Sequence, residues 1–180
     1  TIVWAGNFII SRSVHQLIGP ISLAFFRWSL ATLILLPFAW RSFKENKEMI
    51  KTNFRYFFWV SLTGIGLFNT CIYFSGHYTT AINMALIGTT SSPIFASLLA
   101  LVFLKERMGL NRIIGMIICI VGILLLLSKG SWHTLLMFHF SKGDLWVLAG
   151  AMAFAIYNVL VRRKPTGLSS IHFLMIVFSV

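Results

Sequence analysis

Residues 81–104 read AINMALIGTTSSPIFASLLALVFL. No residue in the stretch is charged. As a helix it would be about 36 Å long, enough to cross a hydrocarbon core of roughly 30 Å. Its middle departs from plain apolarity: Gly88, Thr89, Thr90, Ser91 and Ser92 form a polar run, and Pro93 follows. Proline removes a backbone donor and crowds the carbonyl four residues back. The stretch therefore reads as a spanning helix with a local break.

Six more apolar segments flank it, at 1–11, 20–40, 56–76, 113–128, 143–161 and 168–180. Runs such as Ile113-Ile114-Gly115-Met116-Ile117-Ile118 lack the alternation of a barrel strand, and an open strand edge in lipid would leave backbone groups unpaired. The expected fold is all-α, a polytopic transmembrane helix bundle with about seven spans, the first and last incomplete. The chain starts at Thr1 without Met and stops at Val180 inside an apolar run, so both ends read as cuts in a longer protein. Residues 1–11 lack the basic lead and cleavage site of a signal peptide.

Composition agrees. Hydrophobic residues make up 58% of 180 and charged residues 11%, against about 25% in soluble domains. The net charge is +11, but the basic residues cluster between apolar runs rather than on a polar domain, which excludes nucleic-acid binding. Cys71 and Cys119 lie within apolar runs and have neither disulfide nor zinc spacing. No cofactor or metal is expected.

The loops give an orientation. Arg41, Lys44, Lys47, Lys51 and Arg55 follow the second segment; Lys105, Arg107 and Arg112 follow the fourth; Arg162, Arg163 and Lys164 follow the sixth. The alternate loops carry only Arg12, Lys129 and Lys142. The basic loops and the N-terminal side are expected in the cytoplasm, in the plasma (bacterial inner) membrane. Ser131–Phe140 is too short to span and reads as a connection or an interfacial segment.

A shift of the numbering superimposes Asn7, Arg12, Leu17 and Leu23 on Asn158, Arg163, Leu168 and Leu174. Five spans separate the copies, so the second is inverted, a common construction of secondary transporters.

These features resemble EamA-type members of the drug/metabolite transporter superfamily. The likeness rests on Trp4-Ala-Gly-Asn7, on Pro20 to Arg27 with Ala31, on Ala81-Ile-Asn-Met-Ala85 with Thr90-Ser-Ser-Pro93, on Leu104-Lys-Glu106-Arg107 with Gly115 and Gly122, and on Gly143-Asp144-Leu145 with Ala151, Ala153, Tyr157 and Asn158. It implies ten spans in two inverted five-span repeats that move amino acids, metabolites or toxic compounds. Residues 1–128 would be the first repeat, 129–142 an extracytoplasmic connection and 143–180 the start of the second. Arg27 falls on Phe178 in the repeat alignment, so that arginine is not duplicated.

The candidate pathway residues follow. Arg27 lies about 10 Å into its span, where a charge faces a cavity or a partner; it reads as a contact for an anionic or zwitterionic solute, or as a structural arginine on backbone carbonyls. Thr89, Thr90, Ser91 and Pro93 read as a broken helix with free carbonyls, or as a kink patched by hydroxyls. Asn7 and Asn158 line a cavity or bond across helices. Trp4, Tyr73 and Tyr157 wall a route or simply pack. Gly115, Cys119 and Gly122 share one helix face and are expected to pack closely against another helix.

A secondary transporter, an exporter of amino acids or related metabolites by alternating access, is the leading reading, with the lipid bilayer and a small solute as its partners. A non-transporting membrane scaffold is the alternative. No His-Glu-x-x-His or phosphate-loop motif occurs, and Gly64-Ile65-Gly66 lacks a third glycine at Asn69, so an enzyme is not expected.

Overall fold

The computed structural model describes residues 2–14, 16–128, 133, 141–165, 168 and 170–179. The helices are α1 (Ile2–Ser13), α2 (Pro20–Glu45), α3 (Lys47–Thr52), α4 (Phe54–Ser61), α5 (Phe68–Ser75), α6 (Ala81–Phe103), α7 (Leu110–Leu127), α8 (Lys142–Val161) and α9 (Ser170–Ser179). A π-helical segment, Leu62–Leu67, joins α4 to α5. Among the described residues, four stretches are long and apolar enough to cross a membrane: Pro20–Phe38, Phe54–Ser75, Ala81–Phe103 and Lys142–Val161. Leu110–Leu126 is apolar but shorter, and α1 and α9 have 12 and 10 residues. Of the expected connection at 129–142, residues 129–132 and 134–140 lie outside the described residues, while Ser141 caps α8 and Lys142 opens it.

The helices run between two ends of one bundle, and side-chain bonds fix which loops meet at each. At one end the Arg12 guanidinium donates to the Gly76 carbonyl at 2.7 Å, and the Ser11 hydroxyl donates to Ile72 at 3.1 Å. There too the Thr79 hydroxyl donates to the Asp144 carboxylate at 2.8 Å. Asp144 also accepts from the Ser141 amide, while its own amide donates to the Ser141 hydroxyl. This capping box satisfies two orphan donors of α8. It explains how the one buried carboxylate, 2% exposed, is tolerated.

At the other end Arg162 holds Glu106, Arg163 donates to the Phe103 carbonyl at 2.5 Å, and the Tyr56 hydroxyl donates to the Leu160 carbonyl at 2.9 Å. The basic loops at 41–55, 104–112 and 162–165 gather here. Arg12 and Arg163, superimposed in the repeat alignment, thus both bond a carbonyl at or just beyond the C-terminal end of a neighbouring helix.

Helix α8 is the centre of packing and lies against α5, the π segment and α6. Its side facing them is small: Gly143, Val147, Ala151 and Ala155, four residues apart, are all buried. Small side chains let backbones approach, and in lipid that dispersion contact is a main force between helices. A Cβ on Gly143 would sit 2.7 Å from Thr79 Cβ, so only glycine fits that crossing.

The close packing expected at Gly115, Cys119 and Gly122 is not made with any described residue of this chain. A Cβ on either glycine would meet nothing within 4 Å, and Cys119 is exposed. Helix α7 touches α6 alone to any extent, near Arg112, whose Nε donates to the Ser97 hydroxyl at 3.1 Å.

Helix α6 is continuous through Pro93. The Thr89, Thr90 and Ser97 hydroxyls donate back to the carbonyls of Ala85, Leu86 and Pro93, at 2.6, 2.7 and 2.7 Å. The helix break is not present; each of these hydroxyls bonds a carbonyl one turn earlier, as proximity on a helix allows, and none of the three bonds is to the Thr89 carbonyl that Pro93 leaves without its amide donor.

Candidate functional site

Arg27 projects from α2 toward α1 and α5. Its Nη1 donates to the Asn7 side-chain oxygen and, at 2.7 Å, to the Tyr73 hydroxyl. The guanidinium carbon lies 5.4 Å from the Tyr73 ring centre, a cation–π contact. Tyr73 is 1% exposed and so fixes one side of the arginine. Both hydrogen-bond partners are neutral. A guanidinium has five N–H donors, and the Nε and Nη2 donors of Arg27 have no partner among the described residues.

Arg27 lines a cavity of about 430 Å³ together with Asn7, Trp28, Phe68, Asn69 and Tyr157, and its far wall comes from α9. The volume falls in the range typical of small-molecule sites. Residues of both expected repeats contribute. The Trp28 indole N–H is buried and has no acceptor among the described residues, and its ring stacks on Phe178 at 5.5 Å.

The π segment shapes the opposite wall. A π turn inserts one extra residue and frees carbonyls, and it is frequent at functional sites. Here Thr63 donates to Trp59 at 2.7 Å and Asn69 to Ile65 at 3.0 Å. Gly64 gives room for Tyr157: a Cβ there would fall 2.3 Å from Tyr157 Cδ2.

A second cavity, of about 490 Å³, lies beside the first and reaches toward the basic end. Thr89, Ser92 and Pro93 of α6, Asn158 of α8 and Arg162 line it, with Phe8 and Gly88. Asn158 donates to the Phe154 carbonyl at 2.8 Å, leaving its side-chain oxygen for other donors. Phe68 and Phe154 line both cavities, with ring centres 4.9 Å apart. At the mouth, Arg162 Nη1 lies 2.7 Å from both oxygens of Glu106.

The expected residues therefore fall into two neighbouring places. Arg27, Asn7 and Tyr157 share the first cavity; Thr89, Pro93 and Asn158 share the second. Thr90 and Ser91 line neither, and the side chain of Trp4 lies outside those described. Sequence reasoning passed over Asn69, a lone amide in an apolar run like Asn7, and counted Arg162 only as a loop charge. Phe68 and Phe154 gave no signal among so many aromatic residues.

Known proteins were then compared. The family model described as the EamA-like transporter family matches residues 1–128. The Uncharacterized transporter YyaM of Bacillus subtilis is 27% identical over 183 residues, covering 100% of this chain and 60% of its own. An Uncharacterized transporter of Archaeoglobus fulgidus is 29% identical over 163 residues, covering 88% and 53%. A protein of Rickettsia felis named S-adenosylmethionine uptake transporter is 26% identical over 180 residues, covering 98% and 58%. The chain thus spans little more than half the length of these relatives. No solved structure matches.

Proposed function

We propose, from the premise that this chain belongs to the EamA-like transporter family, that the whole protein is a secondary transporter of zwitterionic or anionic metabolites of the amino-acid kind, with Arg27 as the group that receives their carboxylate. The family is one of membrane transporters, so the chain is an integral membrane protein and not an enzyme. The observation that carries the proposal is a guanidinium about 10 Å deep in a span, bonded only to neutral partners and lining a cavity. A charge so placed is expensive unless a cavity or a ligand repays it. One relative's name specifies S-adenosylmethionine, a solute that carries an α-amino carboxylate.

The mechanism is alternating access. The cavity lies between residues of 1–128 and residues of 143–180, so rocking of one expected repeat against the other would change its walls. We read the second cavity as the route toward the basic end, which we assign to the cytoplasmic side of a plasma membrane because its loops carry most of the basic residues. Export of amino acids or related metabolites is the direction we favour; the relative named for uptake supports import as a second reading. A scaffold without transport would have no use for a charge facing an internal cavity.

Full-length protein reconstituted in liposomes, loaded or bathed with labelled amino acids and S-adenosylmethionine, tests this. Saturable exchange of a carboxylate-bearing solute is expected; movement of none of them would return the protein to the scaffold class.

A further inference from the structure

A third hollow lies away from both cavities, on the outside of the bundle at the basic end. It holds about 430 Å³ and is lined by Leu36, Trp40 and Phe43 of α2, Ile50 of α3, and three lysines: Lys44, Lys47 and Lys51. Thr32, at its inner limit, donates to the Phe178 carbonyl at 3.2 Å.

Its depth in the bilayer follows from helix length. Helix α2 has 26 residues and is about 39 Å long. About twenty residues cross the hydrocarbon, so a helix entering near Pro20 leaves it near Trp40, a residue type favoured at the interface. Lys44, one turn further, is then at phosphate depth. Its ammonium rests 5.6 Å from the Trp40 ring centre.

Helix α3 lies across the end of α2. Its Met49 and Ile50 pack on the core cluster around Phe57 and Phe173, while Lys47 and Lys51, one turn apart, are exposed. Glu45 and Glu48 do not line the hollow. Leu33, Ile34 and Phe38 continue the exposed apolar side of α2 toward the bilayer centre. The hollow is thus apolar on the hydrocarbon side and cationic on the headgroup side.

We propose that this hollow binds one anionic phospholipid, with acyl chains against Leu36, Trp40 and Ile50 and the phosphate among Lys44, Lys47 and Lys51. Charge complementarity selects an anionic headgroup over a zwitterionic one, and each lysine near an anionic surface adds about fivefold. A soluble anion would use the lysines but leave the apolar wall unfilled.

Native mass spectrometry of the full-length protein, released from micelles doped with phosphatidylglycerol or phosphatidylcholine, tests this. Wild type should retain one phosphatidylglycerol in preference to phosphatidylcholine. The Lys44→Gln/Lys47→Gln/Lys51→Gln variant should lose about a hundredfold in retention. A control at the same end, Lys105→Gln/Arg107→Gln/Lys164→Gln, should keep it. Equal retention of the two lipids, equal loss in the control, or displacement by millimolar inorganic phosphate would each overturn the assignment.

Discussion

Phe68 of α5 and Phe154 of α8 face each other with ring centres 4.9 Å apart and stand between the Arg27 cavity and the Thr89–Asn158 cavity. Phe154 is held in turn by Tyr157, stacked at 5.5 Å, so the partition has one packed side. If the pair closes the path between the cavities, loss of one ring opens it. Phe154→Leu removes the ring but keeps an apolar side chain, so it should cost less than the roughly 3–5 kcal/mol of a Phe→Ala change. Passive leak of a labelled solute from proteoliposomes should rise above wild type, while Phe154→Tyr should not leak. A tight Phe154→Leu variant would make the pair ordinary packing.

Gly64→Ala should destabilise the protein. The added methyl would lie 2.3 Å from Tyr157 Cδ2 and 2.7 Å from its Cγ, and Cγ cannot swing away without moving the whole ring. Overpacking of this kind costs about 1–3 kcal/mol. The expected readout is a lower midpoint of thermal unfolding in detergent, with reduced transport. Gly66→Ala on the same segment is the control, because its nearest contact, Leu62 Cδ1, is at an ordinary 3.5 Å.

The Glu106–Arg162 pair should matter for access more than for stability. Both side chains are partly exposed, at 40% and 46%, and such pairs contribute about 0–1 kcal/mol. Glu106→Gln should therefore unfold nearly as wild type does. Freed Arg162 would unblock the mouth of the second cavity. With Cys71 and Cys119 replaced by serine, a cysteine at Ser92 should react faster with an impermeant maleimide in the Glu106→Gln background. Unchanged labelling would leave the pair a surface contact.

Much of the architecture was legible in the sequence because lipid forces a simple code. A predominantly apolar run long enough to cross lipid must be helical, so α2, the Phe54–Ser75 span, α6 and α8 were placed within a few residues. Helix–helix contact is harder to read. Gly115 and Gly122 carried the same small-residue signal as Gly143 and Ala151, yet only the second set is buried within this chain. Spacing shows that a face can pack, not whether a neighbour is there. The site divides in the same way. Arg27 and Asn7 stood out because polar groups in a span are costly. Tyr73 could be read only as a pathway wall or as packing, and Phe68 and Phe154 did not stand out, since one aromatic residue among many acquires meaning only from what it touches. The π segment was illegible: it depends on Gly64 yielding space to a ring almost a hundred residues later.

Transport by the full-length protein with Arg27→Gln and Arg27→Lys, beside wild type, tests the central assignment most directly. Glutamine keeps a polar amide but removes the charge, and it ends near the position of Arg27 Nε, short of the Nη1 that bonds Asn7 and Tyr73. Lysine keeps the charge but not the fork that pairs a carboxylate. The geometry predicts normal insertion of both, transport of carboxylate-bearing solutes reduced at least tenfold by glutamine, equivalent to about 1.4 kcal/mol, and partial transport by lysine. Wild-type transport in the Arg27→Gln variant would contradict it and leave Arg27 as a structural brace between α1, α2 and α5.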